Sequence, residues 1–304
     1  MAGTAKCSRV IALEEAFLHP KLMELFPVAL QQKYAVIKER LMDVGPERIS
    51  RMDAAGIDLQ VLSHVEPGVQ FLEDPESAIR LSVEINDWLA DIVGAYPSRF
   101  AGFAALPTQS PEDAARELER TVTRHGFVGA LINGHTRGKY LDDESFAPIW
   151  ERAQKLDVPI YIHPTDPPPS VSGFYYGDSP PLITGWGWQV ETGTHLLKLI
   201  TGGVFDRYPK LKVIVGHMGE LLPFCFTRVN TALTMGEWLL SAQDAKEKIP
   251  GQRARMEKSF SYYMSRNVYV TTSGVFDLPP FECALNYLGI DNILFSVDDP
   301  FQDN

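Results

Sequence analysis

Thiols are scarce in this 304-residue chain. Cys7, Cys225 and Cys283 are an odd number, and no two of them form a CxxC pair. That argues against a disulfide framework and leaves inert or buried thiols in a reducing compartment. Long apolar runs are also missing. None approaches the roughly 20 residues that cross a bilayer, so no membrane segment is expected. The opening Met1-Ala2-Gly3-Thr4-Ala5-Lys6 lacks the hydrophobic centre of a signal peptide, and a cytoplasmic protein is expected. Positive charge is in deficit: 28 Lys and Arg stand against 39 Asp and Glu, a net charge of −11. A general nucleic-acid surface is therefore disfavoured. An anionic small molecule is not, because a metal and one or two basic side chains make a locally positive pocket in an acidic protein. No fixed-period repeat and no shift in composition marks a second domain. Residues 1–304 read as one unit of ordinary globular composition, 45% hydrophobic and 22% charged.

What the chain does have is a set of short apolar runs that end in chemically useful residues. Val10 to Leu13 runs into Glu14 and Glu15. Val158 to Ile162 ends in His163, Leu211 to Gly216 in His217, and Ile293 to Val297 in Asp298. Four further runs read as strands: Leu59–Leu62, Phe100–Leu106, Val128–Ile132 and Val268–Thr272. Amphipathic stretches separate them, with helices expected at 48–55, 75–93, 111–125, 143–156, 189–202, 221–238 and 279–287. Ser110, Pro111 and the acids at 112 and 113 mark one helix start, and Gly126 its stop. Lys33 to Met42 reads equally as helix or loop. Eight strand-helix alternations favour a (β/α)8 TIM barrel over a doubly wound sheet. The chain ends six residues after Asp298, so a final outer helix is expected to be lacking and apolar surface to be exposed there.

Two insertions interrupt the rhythm. Residues 164–188, rich in proline and aromatics, are too long for an ordinary strand-helix loop and read as a lid. Residues 235–266 are charged and read as helical, a solvated excursion or a subunit contact.

In a parallel barrel the functional face lies at the C-terminal ends of the strands, so these terminal side chains are expected to converge. Glu14, His163 and Asp298 supply oxygen, nitrogen and oxygen ligands. That set suits Zn²⁺ or Mn²⁺ and permits Mg²⁺, with positions left for substrate. A single histidine at a strand end is more often structural; three such groups, with His217 as a fourth, favour a metal site. His217 and Glu220, three apart, read as an acid/base pair. Arg228, eight residues after Glu220, reads as its ion-pair partner, or as a clamp for a substrate carboxylate. His64 and His135 follow strands and could reach the pocket. His195 reads as structural, His19 and His125 as peripheral. Of the neighbours Asp298 and Asp299, only one is expected to face the metal.

Leu13-Glu14-Glu15-Ala16-Phe17, Ile162-His163-Pro164, Val204-Phe205-Asp206-Arg207-Tyr208-Pro209, Gly216-His217-Met218-Gly219-Glu220 and Phe295-Ser296-Val297-Asp298 resemble, in order and over nearly the whole chain, a known family. This is the decarboxylase branch of the amidohydrolase superfamily, which includes aminocarboxymuconate semialdehyde, γ-resorcylate, 2,3-dihydroxybenzoate and 5-carboxyvanillate decarboxylases. Glu191-Thr192-Gly193 and residues 135–142 look most like the 5-carboxyvanillate type.

The resemblance implies a barrel, one divalent metal, a hydroxylated aromatic carboxylate as substrate, nonoxidative release of CO2, and a homodimer or homotetramer. Glu14, His163 and Asp298 would bind the metal, and Asp298 would protonate the ring. His217 and Glu220 would assist proton transfer, with Arg228 supporting Glu220. Ala16 replaces a histidine of other members, so three protein ligands are implied. Two positions depart from the pattern. Asp299 stands where an aromatic residue is common, which would add negative charge near the pocket. Lys33 falls where a cation for the substrate carboxylate is supplied, and lysine binds as a point charge rather than a planar fork. Hydrolysis or hydration on the same scaffold, with His217 as base, and a non-catalytic barrel are the rival readings.

Overall fold

The computed structural model describes residues 9–176, 179, 181–240 and 256–303. Eight parallel strands follow one another in chain order: β1 Ile11–Phe17, β2 Leu59–His64, β3 Phe100–Ala105, β4 Gly129–Asn133, β5 Ile160–His163, β6 Val213–Val215, β7 Val268–Thr271 and β8 Ile293–Leu294. A parallel bridge from Leu13 to Ser296, with Leu13 N–H donating to the Phe295 carbonyl at 3.1 Å, joins the last strand to the first. The expected (β/α)8 barrel is the fold.

The strands alternate as a barrel requires, one residue inward and the next outward. Leu59, Val61, Phe103, Leu131, Tyr161 and Ile214 pack into a small cluster inside the barrel. Ile160 and Ile162, on either side of Tyr161, belong instead to the larger core beneath the outer helices. Fully burying such a side chain contributes roughly 1.5–3 kcal/mol, and the larger core runs nearly the whole way round the barrel.

The outer helices form where capping and periodicity place them. Pro75–Ala95 starts at Asp74, whose side chain accepts from the Ser77 N–H. Pro111–His125 ends at Gly126, whose left-handed φ of 69° a glycine tolerates without strain. Ser110 does not cap that helix with its side chain; its hydroxyl donates to Asp113 at 2.6 Å. The ambiguous 33–42 stretch falls into two short helices, Val28–Tyr34 and Lys38–Met42.

The insertion after β5 is not an open loop. It holds a helix, Pro169–Tyr176, and a π-helical turn, Ile183–Gly187, that runs into the helix Trp188–Thr201. Of the charged insertion, Leu222–Leu240 and Phe260–Arg266 are helical, and 241–255 lie outside the described residues. Ile11 and Phe295, on β1 and just past β8, are 41% and 42% exposed. Among the described residues no helix is long and apolar enough to cross a membrane.

Candidate active site

The mouth of the barrel opens into a cavity of about 550 Å³. Glu14, His163, His217 and Asp298 all line it, together with Lys33, His64, Glu66 and Trp188. Each of the first four arrives by a different local device.

Glu14 does not end its strand. β1 continues to Phe17, and its register against β2 shifts between Ala12 and Glu15. At that bulge Glu14 takes a φ of 64°. A bulge re-aims side chains that regular alternation would place on opposite faces. Glu14 thus turns into the cavity, while Glu15 turns away and accepts from Ser296 Oγ and from the Val297 and Asp299 N–H groups. Burial, against those bonds and Arg48, pushes the Glu15 carboxyl up to about 8.

The Glu14 carboxylate is 2% exposed. Its Oε2 accepts from the Tyr161 hydroxyl and from Thr271 Oγ1. Its Oε1 is buried with no hydrogen-bond partner, and lies 3.4 Å from His163 Nε2 and 3.9 Å from His217 Nε2. An unpaired buried carboxylate oxygen is costly unless something else satisfies it. His163 offers the complementary half. Its Nδ1–H donates to the Pro164 carbonyl at 2.8 Å, which leaves the Nε2 lone pair toward Glu14. Burial outweighs the Glu14 charge and lowers the His163 pKa, which favours the neutral ring.

Asp298 has a φ of 78°, and its Oδ2 lies 3.9 Å from His217 Nε2. Burial, with the charges of Glu14 and Asp299, pushes its carboxyl up to about 6 against the pull of His217. His217, at φ 49°, donates from Nδ1 to Glu220 Oε1 at 2.7 Å. Burial opposes the imidazolium, yet Glu220 and Glu14 prevail and its pKa rises well above the ordinary value. Four non-glycine residues in left-handed backbone lining one cavity, Glu14, His217, Glu220 and Asp298, is the strain expected of functional positions held by their surroundings.

Two atoms each about 2.1 Å from one ion stand roughly 3–3.5 Å apart. The Glu14–His163 spacing meets that, and the orphaned Oε1 supplies the motive, so these groups fit a divalent ion. Among the described residues no three His, Cys, Asp or Glu side chains stand together as a ready-made metal cluster, so the pairing of Glu14 with His163 carries the fit. Gly216 makes room for it: a Cβ there would stand 3.0 Å from both Glu14 carboxylate oxygens and 3.1 Å from the Tyr161 hydroxyl. Gly216→Ala is expected to weaken metal affinity about tenfold, as supporting-shell changes do, with little change in Tm. Metal titration alongside thermal melting checks this.

Residues 47–304 match the sequence model of the amidohydrolase family. The chain belongs to that family. Within it, this amidohydrolase is similar to decarboxylases. It is 40% identical to γ-resorcylate decarboxylase of a Polaromonas species over 96% of this chain and 88% of the relative. The solved 5-carboxyvanillate decarboxylase of Novosphingobium aromaticivorans, complexed with manganese and 4-hydroxy-3-methoxy-5-nitrobenzoic acid, superposes with a TM-score of 0.87 at 36% identity. That match covers 97% of this chain and 87% of the other. Dihydroxybenzoic acid decarboxylase of Polaromonas, with manganese and 2-nitroresorcinol, gives 0.82 at 37% identity over 97% and 88% of the two chains. This amidohydrolase is a carboxy-lyase of the decarboxylase branch.

Several residues of this amidohydrolase differ from expectation. Arg228 does not pair with Glu220. Leu221 takes a φ of 66° and breaks the chain direction, so the helix carrying Arg228 begins only at Leu222. Eight-residue helical spacing therefore does not apply; Arg228 is exposed, and Glu220 is buried on His217. His135 stays off the cavity, donating from Nε2 to the Asp166 carbonyl and accepting the Gly138 N–H. Asp299 does not line the pocket: it is fully buried against Arg48 and Arg40, and its charge is felt there only in helping to raise the Asp298 carboxyl. His64 does reach the wall, uncharged, its pKa pushed down to about 3 by burial and His163. His195 is structural, accepting the Leu141 N–H at 3.0 Å.

Sequence reasoning missed Tyr161, Thr271 and Ser273, which bond one another and support Glu14 and the His217 N–H. Tyr161 had a signal: two places before His163 in one strand, it must share its face. Glu66 had none, and Trp188 was legible only as part of the 164–188 insertion read as a lid. Lys33 Nζ lies 3.1 Å from Glu66 Oε2 and 5.0 Å from the Trp188 ring centre, so the insertion after β5 does wall the cavity.

Proposed function

We propose that this protein decarboxylates a hydroxylated aromatic monocarboxylic acid, with Glu14, His163 and Asp298 holding one divalent ion. The observation that carries the reading is the buried, unpartnered Glu14 Oε1 beside the free Nε2 of His163. Manganese, present in both solved relatives named above, is the ion we assign; zinc and magnesium are the controls. When bound, the ion supplies Lewis acidity to the substrate's phenolate and carboxylate oxygens.

The rest is done by side chains. Asp298, buried and carrying a proton more readily than an ordinary carboxyl, hands it to the ring carbon that bears the carboxylate. The new C–H bond interrupts the aromatic ring. The C–C bond then breaks, CO2 leaves, and the electron pair restores aromaticity. His217, held at Nδ1 by Glu220, keeps Nε2 toward Asp298 and returns a proton there. His64 stays neutral in the wall and adds no charge.

Among the described residues lining the cavity, the cations are Lys33 and the His217 imidazolium, and Lys33 already faces Glu66. One substrate carboxylate suits that balance better than two. Lys33→Met is expected to raise KM about fivefold, about 1 kcal/mol, with kcat little changed, since a rim charge binds ground and transition states alike. Steady-state kinetics on 2,6-dihydroxybenzoate measures the split. A cytoplasmic homodimer or homotetramer belongs to the same reading, and light scattering gives the mass.

The decisive test is isotopic. In deuterium oxide, dihydroxybenzoates should release CO2 and gain one deuterium at the vacated ring carbon. Uptake of solvent oxygen into the product, without CO2, would instead establish hydrolysis or hydration.

A further inference from the structure

Asp299 is next in sequence to Asp298 but plays no part in lining the cavity. Its carboxylate, fully buried, lies 2.8 Å from Arg48 Nη2 and 2.9 Å from Arg40 Nη2. Arg48 is itself fully buried. Its Nη2 also donates to the Ala16 carbonyl at 2.8 Å, and its Nε to Gln60 Oε1 at 2.9 Å. A buried arginine spending donors on a buried carboxylate and on the backbone of β1 ties that strand to the chain after β8.

The backbone around Asp298 is pinned from the other direction as well. Val297 N–H and Asp299 N–H both donate to Glu15 at 3.0 Å, and the Asp299 carbonyl accepts the Ala16 N–H at 2.7 Å. Both neighbours of Asp298 are thus fixed to β1, immediately after the bulge that aims Glu14. Asp298 between them holds its left-handed φ of 78°, a conformation that persists only where the surroundings over-determine it.

The clamp also reaches the substrate side. Arg40 belongs to the helix Lys38–Met42 and holds Asp303 at 2.9 Å as well as Asp299. Between those two acids, Phe301 lines the cavity and meets Tyr34 edge-on, with ring centres 6.3 Å apart. One cation therefore joins a cavity wall to the residue beside Asp298.

We propose that Asp299, gripped by Arg48 and Arg40, is a positioning residue that orients the Asp298 carboxylate toward the metal and couples it to the cavity wall. The proposal rests on the reading of Asp298 as metal ligand and proton donor. It gives Asp299 a task that an aromatic residue at that position has no charge to perform.

The test compares Arg40→Gln, Arg40→Lys and Asp299→Asn with the native protein. The measurements are manganese affinity by titration calorimetry, the paramagnetic resonance spectrum of the bound ion, Tm of the metal-free protein, and kcat. In Arg40→Gln the buried Asp299 carboxylate keeps its Arg48 partner, so the variant should hold its Tm within a few degrees. It is expected to bind manganese about tenfold more weakly, with an altered spectrum and a lower kcat, and Arg40→Lys to recover most of the affinity. Asp299→Asn should lose more. Native affinity and spectrum in both Arg40→Gln and Asp299→Asn would overturn the proposal. If Asp299→Asn does not fold, the two Arg40 variants decide it. A native protein that binds manganese but releases no CO2 overturns the functional reading alone, and the affinity comparison still settles the clamp.

Discussion

Asp298→Asn is expected to abolish CO2 release, lowering kcat by about a thousandfold or more, or about 4 kcal/mol of barrier. The amide keeps the shape and the acceptor oxygen of the carboxylate but cannot hand over a proton. The carboxyl it replaces is pushed up to about 6 by burial and by Glu14, with His217 opposing. The fold should survive, because what fixes this stretch is the backbone bonding of residues 297 and 299 to Glu15, and not the Asp298 side chain. Single-turnover assay in deuterium oxide measures the loss, with circular dichroism as the control. A variant that still incorporates ring deuterium at more than about a tenth of the native rate would remove Asp298 from the role of proton donor.

Glu14→Gln should lose the metal and gain stability without it. Three carboxylates, Glu14, Asp298 and Glu220, crowd the cavity floor around two histidines, and the charge of Glu14 raises the proton affinity of both other acids. Neutralising it removes repulsion at a buried site, so the metal-free Tm is expected to stay level or rise by a few degrees, about 1 kcal/mol. Metal content should fall from about one ion per chain to a small fraction, because the amide gives up the negative charge that a hard divalent ion requires, and activity should vanish with it. Elemental analysis and paired melts with and without manganese report both signs. A Glu14→Gln protein that retains stoichiometric metal, or is destabilised by several degrees when metal-free, would show that Glu14 is a structural group.

These two expectations differ in how far sequence alone supports them. The runs into Asp298 and His163 were legible because apolar segments of strand length ended in single residues able to bind a metal; His163 ends β5 as expected, whereas β8 stops at Leu294, four residues before Asp298. Glu14 was legible as a candidate but not in its geometry. The strand runs three residues past it, and it enters the cavity only through the bulge. A bulge is a register event between two strands, so one segment of sequence cannot reveal it. Arg228 failed for a related reason. Helical spacing was extended across Leu221, where a left-handed residue, which no propensity favours, resets the chain.

The amino-acid sequence by itself determined the eight alternating strands and helices, the barrel they close, and the types of side chain at its mouth, since periodicity and composition act locally along the chain. The family resemblance already favoured Asp298 of the two adjacent acids; tertiary structure alone decided what becomes of Asp299. Asp298 looks inward and Asp299 is buried on Arg48, a partner 251 residues away in the chain. Long-range pairing of that kind depends on the closure of the barrel, which brings the two ends of the chain side by side.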